Sequence, residues 1–223
     1  MSKILIVAAH PDDEVIGVGG TVAKHAKAGD EVSVLLLGDG ITSRGGDKTG
    51  ITKRANQAKK AAKILGVKKV FLETLPDNKF DSVPLLEIVK KVEKIIYKIK
   101  PSVVYTHFGD DLNIDHRLTY KAVITACRPQ PKFFVKKILA FETLSSTEWQ
   151  AKKKKNLFSP TYYNDIGGFL DKKIKAMEVY KDEIKPYPHP RSVEGLKILA
   201  NYRGLETGYK NAEAFEVIRQ LKD

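Results

Sequence analysis

Short runs of branched apolar residues alternate with longer amphipathic stretches along the first half of the chain. Lys3-Ile4-Leu5-Ile6-Val7-Ala8 is long enough for one buried strand. After the polar cluster that follows, residues 22–28 turn helical and stop at Gly29. Further strands are predicted over residues 31–37, 69–72 and 102–106, with a glycine-rich loop over 38–50. Helices are predicted over residues 51–65, closed by Gly66 as a C-cap, over 84–99, stopped by Lys100-Pro101, and over 115–127. The second half is less regular. Strands are expected over residues 134–142 and 161–166, and a helix over 169–180 leads into the proline-rich segment 185–190. A helix over residues 193–203 follows, and then a last element over 212–218. Alternating strands and helices predict an α/β chain with a Rossmann-like three-layer fold and a mostly parallel sheet. A length of 223 residues suits a single domain.

The polar cluster Ala8 to Gly20, AAHPDDEVIGVGG, occupies a strand-to-helix junction at the carboxyl end of the first strand, where ligand sites of such folds lie. Pro11 fixes its own φ and pushes His10 toward an extended conformation, so the imidazole and the carboxylates can converge. His10 and Asp13 are therefore expected to hold a metal, with Asp12 as the proton-transfer group. A second cluster, Asp110 to Arg117 (DDLNIDHR), also follows a strand and enters a helix, so it can meet the first along the same sheet edge. A catalytic zinc needs three protein ligands and one open position, and it lowers the pKa of water there toward neutrality. His10, Asp13 and His116 supply two imidazoles and a carboxylate, which also suit iron or cobalt. Asp12 is the natural general base.

Other residues admit two readings each. Asp115 can cap its helix or orient the base or a ligand. Asn113 can donate to an oxyanion or serve a turn. His107, at a strand end, and His189, among prolines, can face the site or belong to loops. Arg54 and Arg191 can anchor a substrate phosphate or hydroxyl, or form surface ion pairs. Gly17, Gly19 and Gly20 lack the full dinucleotide-loop spacing and are read as close packing of the first helix.

The formal charge of +12 raises the question of nucleic acid. Most lysines, however, face solvent from amphipathic helices, and no nucleic-acid motif accompanies them; the run Lys152 to Lys155 reads as a solvated face. Small-molecule substrates are expected instead. No apolar run is long enough to cross a membrane or to serve as a signal. The one cysteine, Cys127, suits a reducing cytoplasm and reads as an inert buried thiol.

AHPDDE followed by G-x-G-G, with a downstream Asp115-His116, resembles the PIG-L/LmbE-like family of zinc-dependent N-deacetylases. The likeness extends to Arg54, Leu75-Pro76-Asp77, Arg203-Gly204, Gly208 and Glu213-Ala214-Phe215. It implies a Rossmann-like fold, zinc held by His10, Asp13 and His116, and Asp12 as base. It also implies removal of acetyl from an N-acetylglucosamine-type sugar or its glycoconjugate. Many members carry His-x-Asp-His where this chain has Asn113-Ile114-Asp115-His116. An amide there cannot deliver a proton to the leaving amine, so Asp12 returns it or His107 or His189 serves. Gln57 stands where the family often has Glu. Rival readings are an amidohydrolase for a nucleotide-linked sugar or a non-sugar N-acyl compound, and a non-catalytic nucleotide-binding module. A homo-oligomer is expected, with the less regular half as its interface.

Overall fold

The computed structural model of the chain describes residues 1–130, 133–153 and 156–222. Strands β1 (Lys3–Ala8), β2 (Glu31–Gly38), β3 (Lys69–Leu75), β4 (Val103–His107) and β5 (Lys137–Phe141) form a parallel sheet. Two later strands, β6 (Tyr162–Asp165) and β7 (Ala212–Gln220), extend it: β7 pairs antiparallel with β5, and β6 with β7. The spatial order is β3-β2-β1-β4-β5-β7-β6. The helices are α1 (Asp13–Lys27), α2 (Lys48–Leu65), α3 (Leu85–Ile99), α4 (Ile114–Ala126), α5 (Leu170–Met177) and α6 (Val193–Leu205).

The uninterrupted apolar character of β1 follows from burial on both faces. Ile4 and Ile6 pack with Val22 of α1, Ala58 of α2 and Met177 of α5. Leu5 and Val7 point to the other face, against Val92 of α3 and Val123 of α4. The chain leaves β1 toward β2 and β3, then crosses back to place β4 on the other side of β1. That reversal opens a crevice at the carboxyl ends of β1 and β4, the usual ligand position in a doubly wound sheet. Both polar motifs lie there.

Several boundaries differ from the sequence-based expectation. Helix α1 starts at Asp13, inside the motif, because Asp13 and Glu14 suit the positive end of a helix better than the apolar periodicity reveals. Helix α2 starts at Lys48, where the Asp47 side chain accepts from Gly50 N at 3.0 Å and caps it. Residues 212–218 lie in β7. Of the four-lysine run, Lys154 and Lys155 lie outside the described residues.

Close packing accounts for the glycines of α1. A Cβ on Gly17 would stand 2.2 Å from Phe141 Cδ2, and one on Gly20 would stand 2.8 Å from Ile166 Cδ1. The Glu213 carboxylate of β7 reaches the middle of the same helix, accepting from Gly20 N (2.9 Å) and Thr21 N (2.7 Å). Lys173 of α5 joins it, donating to Glu213 Oε1 (2.6 Å) and to the Ile16 carbonyl (2.8 Å). Charges buried this deeply are tolerated because each is paired and hydrogen-bonded. The glycines and Glu213, far apart in sequence, are thus two halves of one junction.

Candidate active site and metal centre

His10 lies just past the end of β1, before Pro11, and Asp13 opens α1. Asp13 Oδ2 accepts from His10 N at 2.9 Å, closing a tight local turn. Its carboxylate lies 3.3 Å from His10 Nδ1 and 3.3 Å from His116 Nε2, with His116 carried by the first turn of α4. All three side chains are buried.

The remaining nitrogens of the two rings settle their tautomers. His10 Nε2 donates to Asp115 Oδ2 at 2.8 Å, with Asp77 Oδ1 at 3.2 Å beside it. Asp115 is itself fixed by Asn78 N (2.7 Å) and Phe80 N (3.0 Å). His116 Nδ1 donates to Asp111 Oδ1 at 3.0 Å. Asp111 in turn accepts from Asn113 N (2.9 Å), Thr147 Oγ1 (2.5 Å) and Ser146 Oγ. In the neutral rings that a bound metal requires, each imidazole would present the lone pair of its other nitrogen toward Asp13.

That arrangement fits a cation. His116 Nε2 and Asp13 Oδ1 are buried without a hydrogen-bond partner, and the ligand atoms of His10, Asp13 and His116 lie within 4.8 Å of one another. Three converging electron-pair donors repel unless a positive charge sits among them. Two imidazoles and a carboxylate suit zinc and other first-row divalent metals. The proton affinities agree. Burial pulls both imidazoles down, but Asp115 and Asp13 outweigh it at His10, which rises to about 10. Asp13 and Asp111 do the same at His116, which rises to about 9. A second cluster, His10 with Asp77 and Asp115, is also compact. Asp115 already spends its oxygens on His10 and two backbone N–H groups, so it orients the His10 ring.

Asp12 stands next to this cluster with its backbone at φ 123°, a left-handed conformation rare outside glycine. Glu14 Oε2 accepts from Asp12 N at 2.9 Å, and Tyr180 OH donates to Glu14 Oε1 at 2.7 Å, so the strained turn is clamped from α1 and from the segment after α5. Arg191 Nη1 lies 3.1 Å and Arg54 Nη2 3.9 Å from Asp12 Oδ2. Glu183 bridges the two guanidiniums at 3.0 and 3.6 Å. Burial pushes the Asp12 carboxyl up, Arg191 pulls it down and Asp13 raises it again, to about 6. The cavity beside it measures about 50 Å³ and is lined by His10, Asp12, Gly40, Arg54, Asp77, Asn78, Asn113 and Arg191. A larger open groove of about 720 Å³ lies on the outer side of α2, around Lys48, Lys53 and Lys60, away from this chemistry.

The structure brings together His10, Asp12, Asp13, Arg54, Asn113, Asp115, His116 and Arg191. Asn113 caps α4 by accepting from Asp115 N (2.8 Å) and donates to Asn78 Oδ1 (3.0 Å), which leaves its second amide hydrogen for the cavity. Arg54 is buried rather than at the surface, and its Nε and Nη1 have no hydrogen-bond partner. His107 differs from the expectation of a substrate contact or acid. It is fully buried and stacks on His116 at 3.9 Å; its Nε2 accepts from Ala9 N (2.9 Å) while Nδ1 donates to Thr143 Oγ1 (3.2 Å). Burial, then the neighbouring His116, hold its pKa down at about 4, so it is a neutral packing partner of His116. His189 is not among the side chains that line the cavity: its Nδ1 accepts from Arg191 N (3.0 Å) and its ring meets Trp149. Gln57 donates to the Val179 carbonyl (3.0 Å), tying α2 to the chain after α5.

Sequence reasoning held Asp77, Asp111 and Glu14 only as members of their motifs, without these partners, and missed Glu183 and Tyr180. Asp111 carried a signal, since it stands five residues before His116 in a loop that follows a strand. Glu183, in a lysine-rich stretch, carried none.

Comparison with known proteins identifies the family. A diacetylchitobiose deacetylase of Thermococcus kodakarensis is 28% identical over 98% of this chain and 84% of its own length. Among solved structures, N,N'-diacetylchitobiose deacetylase from Pyrococcus horikoshii superposes with a TM-score of 0.75 at 26% identity, over 97% of this chain and 84% of that one. A conserved protein of Thermus thermophilus superposes over 100% of this chain and 97% of its own with a TM-score of 0.80; at 24% identity it speaks for the fold alone. Residues 5–127, more than half of the chain and including both motifs, match the model of the PIG-L family, described as GlcNAc-PI de-N-acetylase. The chain belongs to the PIG-L family.

Proposed function

We propose that this protein is a metal-dependent N-deacetylase that hydrolyses the acetamido group of an N-acetylglucosamine-type sugar or its glycoconjugate. The observation that carries the reading is the convergence of three buried donors, His10, Asp13 and His116, beside a carboxylate held in an arginine cradle. The similarity to diacetylchitobiose deacetylase supports the sugar. The glycines of the rival dinucleotide reading lie inside α1, Gly17 against Phe141, Gly19 against Lys173 and Val15, and Gly20 against Ile166, which leaves them no phosphate to meet.

His10, Asp13 and His116 would hold the metal, zinc being the first choice and iron or cobalt the alternatives. Once bound, it supplies a Lewis acid and lowers the pKa of water toward neutrality. The protein supplies the rest. Asp12 accepts a proton from the attacking water as the new C–O bond forms at the acetyl carbon. The free amide hydrogen of Asn113 donates to the carbonyl oxygen as negative charge develops on it. Arg54 and Arg191 keep Asp12 oriented and present donors to the substrate's hydroxyls. The C–N bond then breaks and the amine takes a proton, from Asp12 or from His189 Nε2, which is the donor nitrogen because Nδ1 accepts from Arg191 N. Acetate and the free amine leave.

The same reading takes the protein as a cytoplasmic homo-oligomer acting on small molecules rather than on nucleic acid. Among the described residues, no helix is long and apolar enough to cross a membrane. Acetate release from N-acetylglucosamine derivatives tests the proposal. Asp12→Asn should lower kcat by about 10²–10⁴-fold while metal content is retained. Undiminished turnover in that variant would reject the assigned chemistry.

A further inference from the structure

The cavity beside Asp12 holds about 50 Å³. All the side chains that line it are polar or charged apart from Gly40, so the apolar face of a pyranose finds no partner among them. An apolar partner for that face has to come from outside this lining.

One large, exposed aromatic side chain stands on a turn that is hydrogen-bonded to the site. Trp149, the chain's only tryptophan, is 53% exposed, although it ends a short, firmly anchored 3₁₀ turn, Thr147–Trp149. Ser146 and Thr147, just before it, donate to Asp111, the carboxylate that orients His116. Ser146 Oγ also accepts from the N–H of Asn113 at 3.3 Å. Arg191, which reaches Asp12, donates through Nε to Ser145 Oγ at 2.6 Å. The Trp149 ring stands perpendicular to His189, with centroids 5.5 Å apart. The turn that carries the indole is thus tied to Asp111 and to Arg191 at once, while much of the ring's surface stays open.

We infer that Trp149, steadied by His189, is a stacking platform for a second pyranose ring, the one linked to the acetylated sugar whose acetamido group enters the cavity. This deepens the deacetylase reading and rests on it. A pyranose presents C–H groups on its broad face, and these complement the electron-rich face of an indole. Its hydroxyls stay free to bond the polar rim. The platform selects a disaccharide over a monosaccharide without taking part in bond breaking.

The single tryptophan is its own reporter. The full-length, metal-replete protein is titrated with N-acetylglucosamine and with its β-1,4-linked disaccharide while Trp149 emission is followed. Acetate release is measured alongside. The second ring survives hydrolysis, so turnover does not erase the signal. The disaccharide should change the emission saturably, and the monosaccharide should not. Trp149→Ala should raise KM for the disaccharide about five- to tenfold, with kcat and the monosaccharide KM within about twofold of wild type, and Trp149→Phe should recover most of the loss. Acetate release with silent emission overturns the platform and leaves the deacetylase standing. An emission response without acetate release supports the platform and rejects the deacetylase. Silence in both rejects both. Emission that changes on dilution of the protein but not with sugar assigns Trp149 to a contact between copies, and also overturns the platform.

Discussion

Nδ1 of His116 donates to Oδ1 of Asp111 at 3.0 Å, and that bond decides which nitrogen of the ring faces Asp13. Burial raises the Asp111 carboxyl, but the hydrogen bond and charge of His116, with Ser146 and Thr147, bring it down to about 2. It is therefore a full anion that makes the imidazole a stronger donor. Asp111→Asn keeps the shape and removes the charge. Chelator-competition titration should show about 10- to 100-fold weaker zinc binding, the usual effect of losing such a partner. Wild-type affinity in this variant would mean that the ring is oriented by its packing on His107 alone.

Tyr180 acts on Asp12 without touching it. Its hydroxyl holds Glu14, and Glu14 holds the backbone N–H of Asp12 at the residue with positive φ. Such a conformation costs about 1–3 kcal/mol and persists only where neighbours enforce it. Tyr180→Phe should lower kcat several-fold, leave metal content and KM unchanged, and cost about 1 kcal/mol of stability in urea unfolding. A change in KM alone would place Tyr180 on the substrate instead.

The first helix has no room for a methyl group where it crosses β5. Gly17→Ala should destabilise the fold by about 1–3 kcal/mol, read from the urea midpoint, because the added Cβ would overlap the Phe141 ring at 2.2 Å. Gly29→Ala is the contrast: nothing lies within 4 Å of its Cβ, and the cost there is confined to the positive φ of 88°.

Much of this architecture is legible in the chain because its signals are local. The apolar run Ile4 to Val7, the punctuation at Gly66 and Pro101, and the placement of both polar motifs after strands lead to the sheet and to one shared edge. His10, Asp12, Asp13 and His116 are legible for the same reason. The supporting groups are not. Glu183 looks like one more charge in a solvated stretch, and only the fold buries it between Arg54 and Arg191. His107 shows the reverse: a histidine ending a strand reads equally well as site or core, and burial under Thr143 and Ala9 decides it. Periodicity failed at the start of α1, where the helix opens on charged residues that face the site.

Cys127 offers a check on the core that is independent of function. Burial pushes its thiol up to about 12, with Arg219 offsetting only part of the rise. At pH 8 it should be a neutral, shielded thiol. Ellman's reagent should react with it only after denaturant unfolds the chain, and reaction at the rate of a free thiol in buffer would contradict the packing around it.

The most direct test of the central claim is metal content, by elemental analysis of zinc-equilibrated, desalted protein. Wild type and Asp12→Asn should each carry close to one zinc per chain, and His10→Ala and His116→Ala should carry little. A wild-type chain that retains no metal, or a His116→Ala variant that retains as much as wild type, would contradict the site described above.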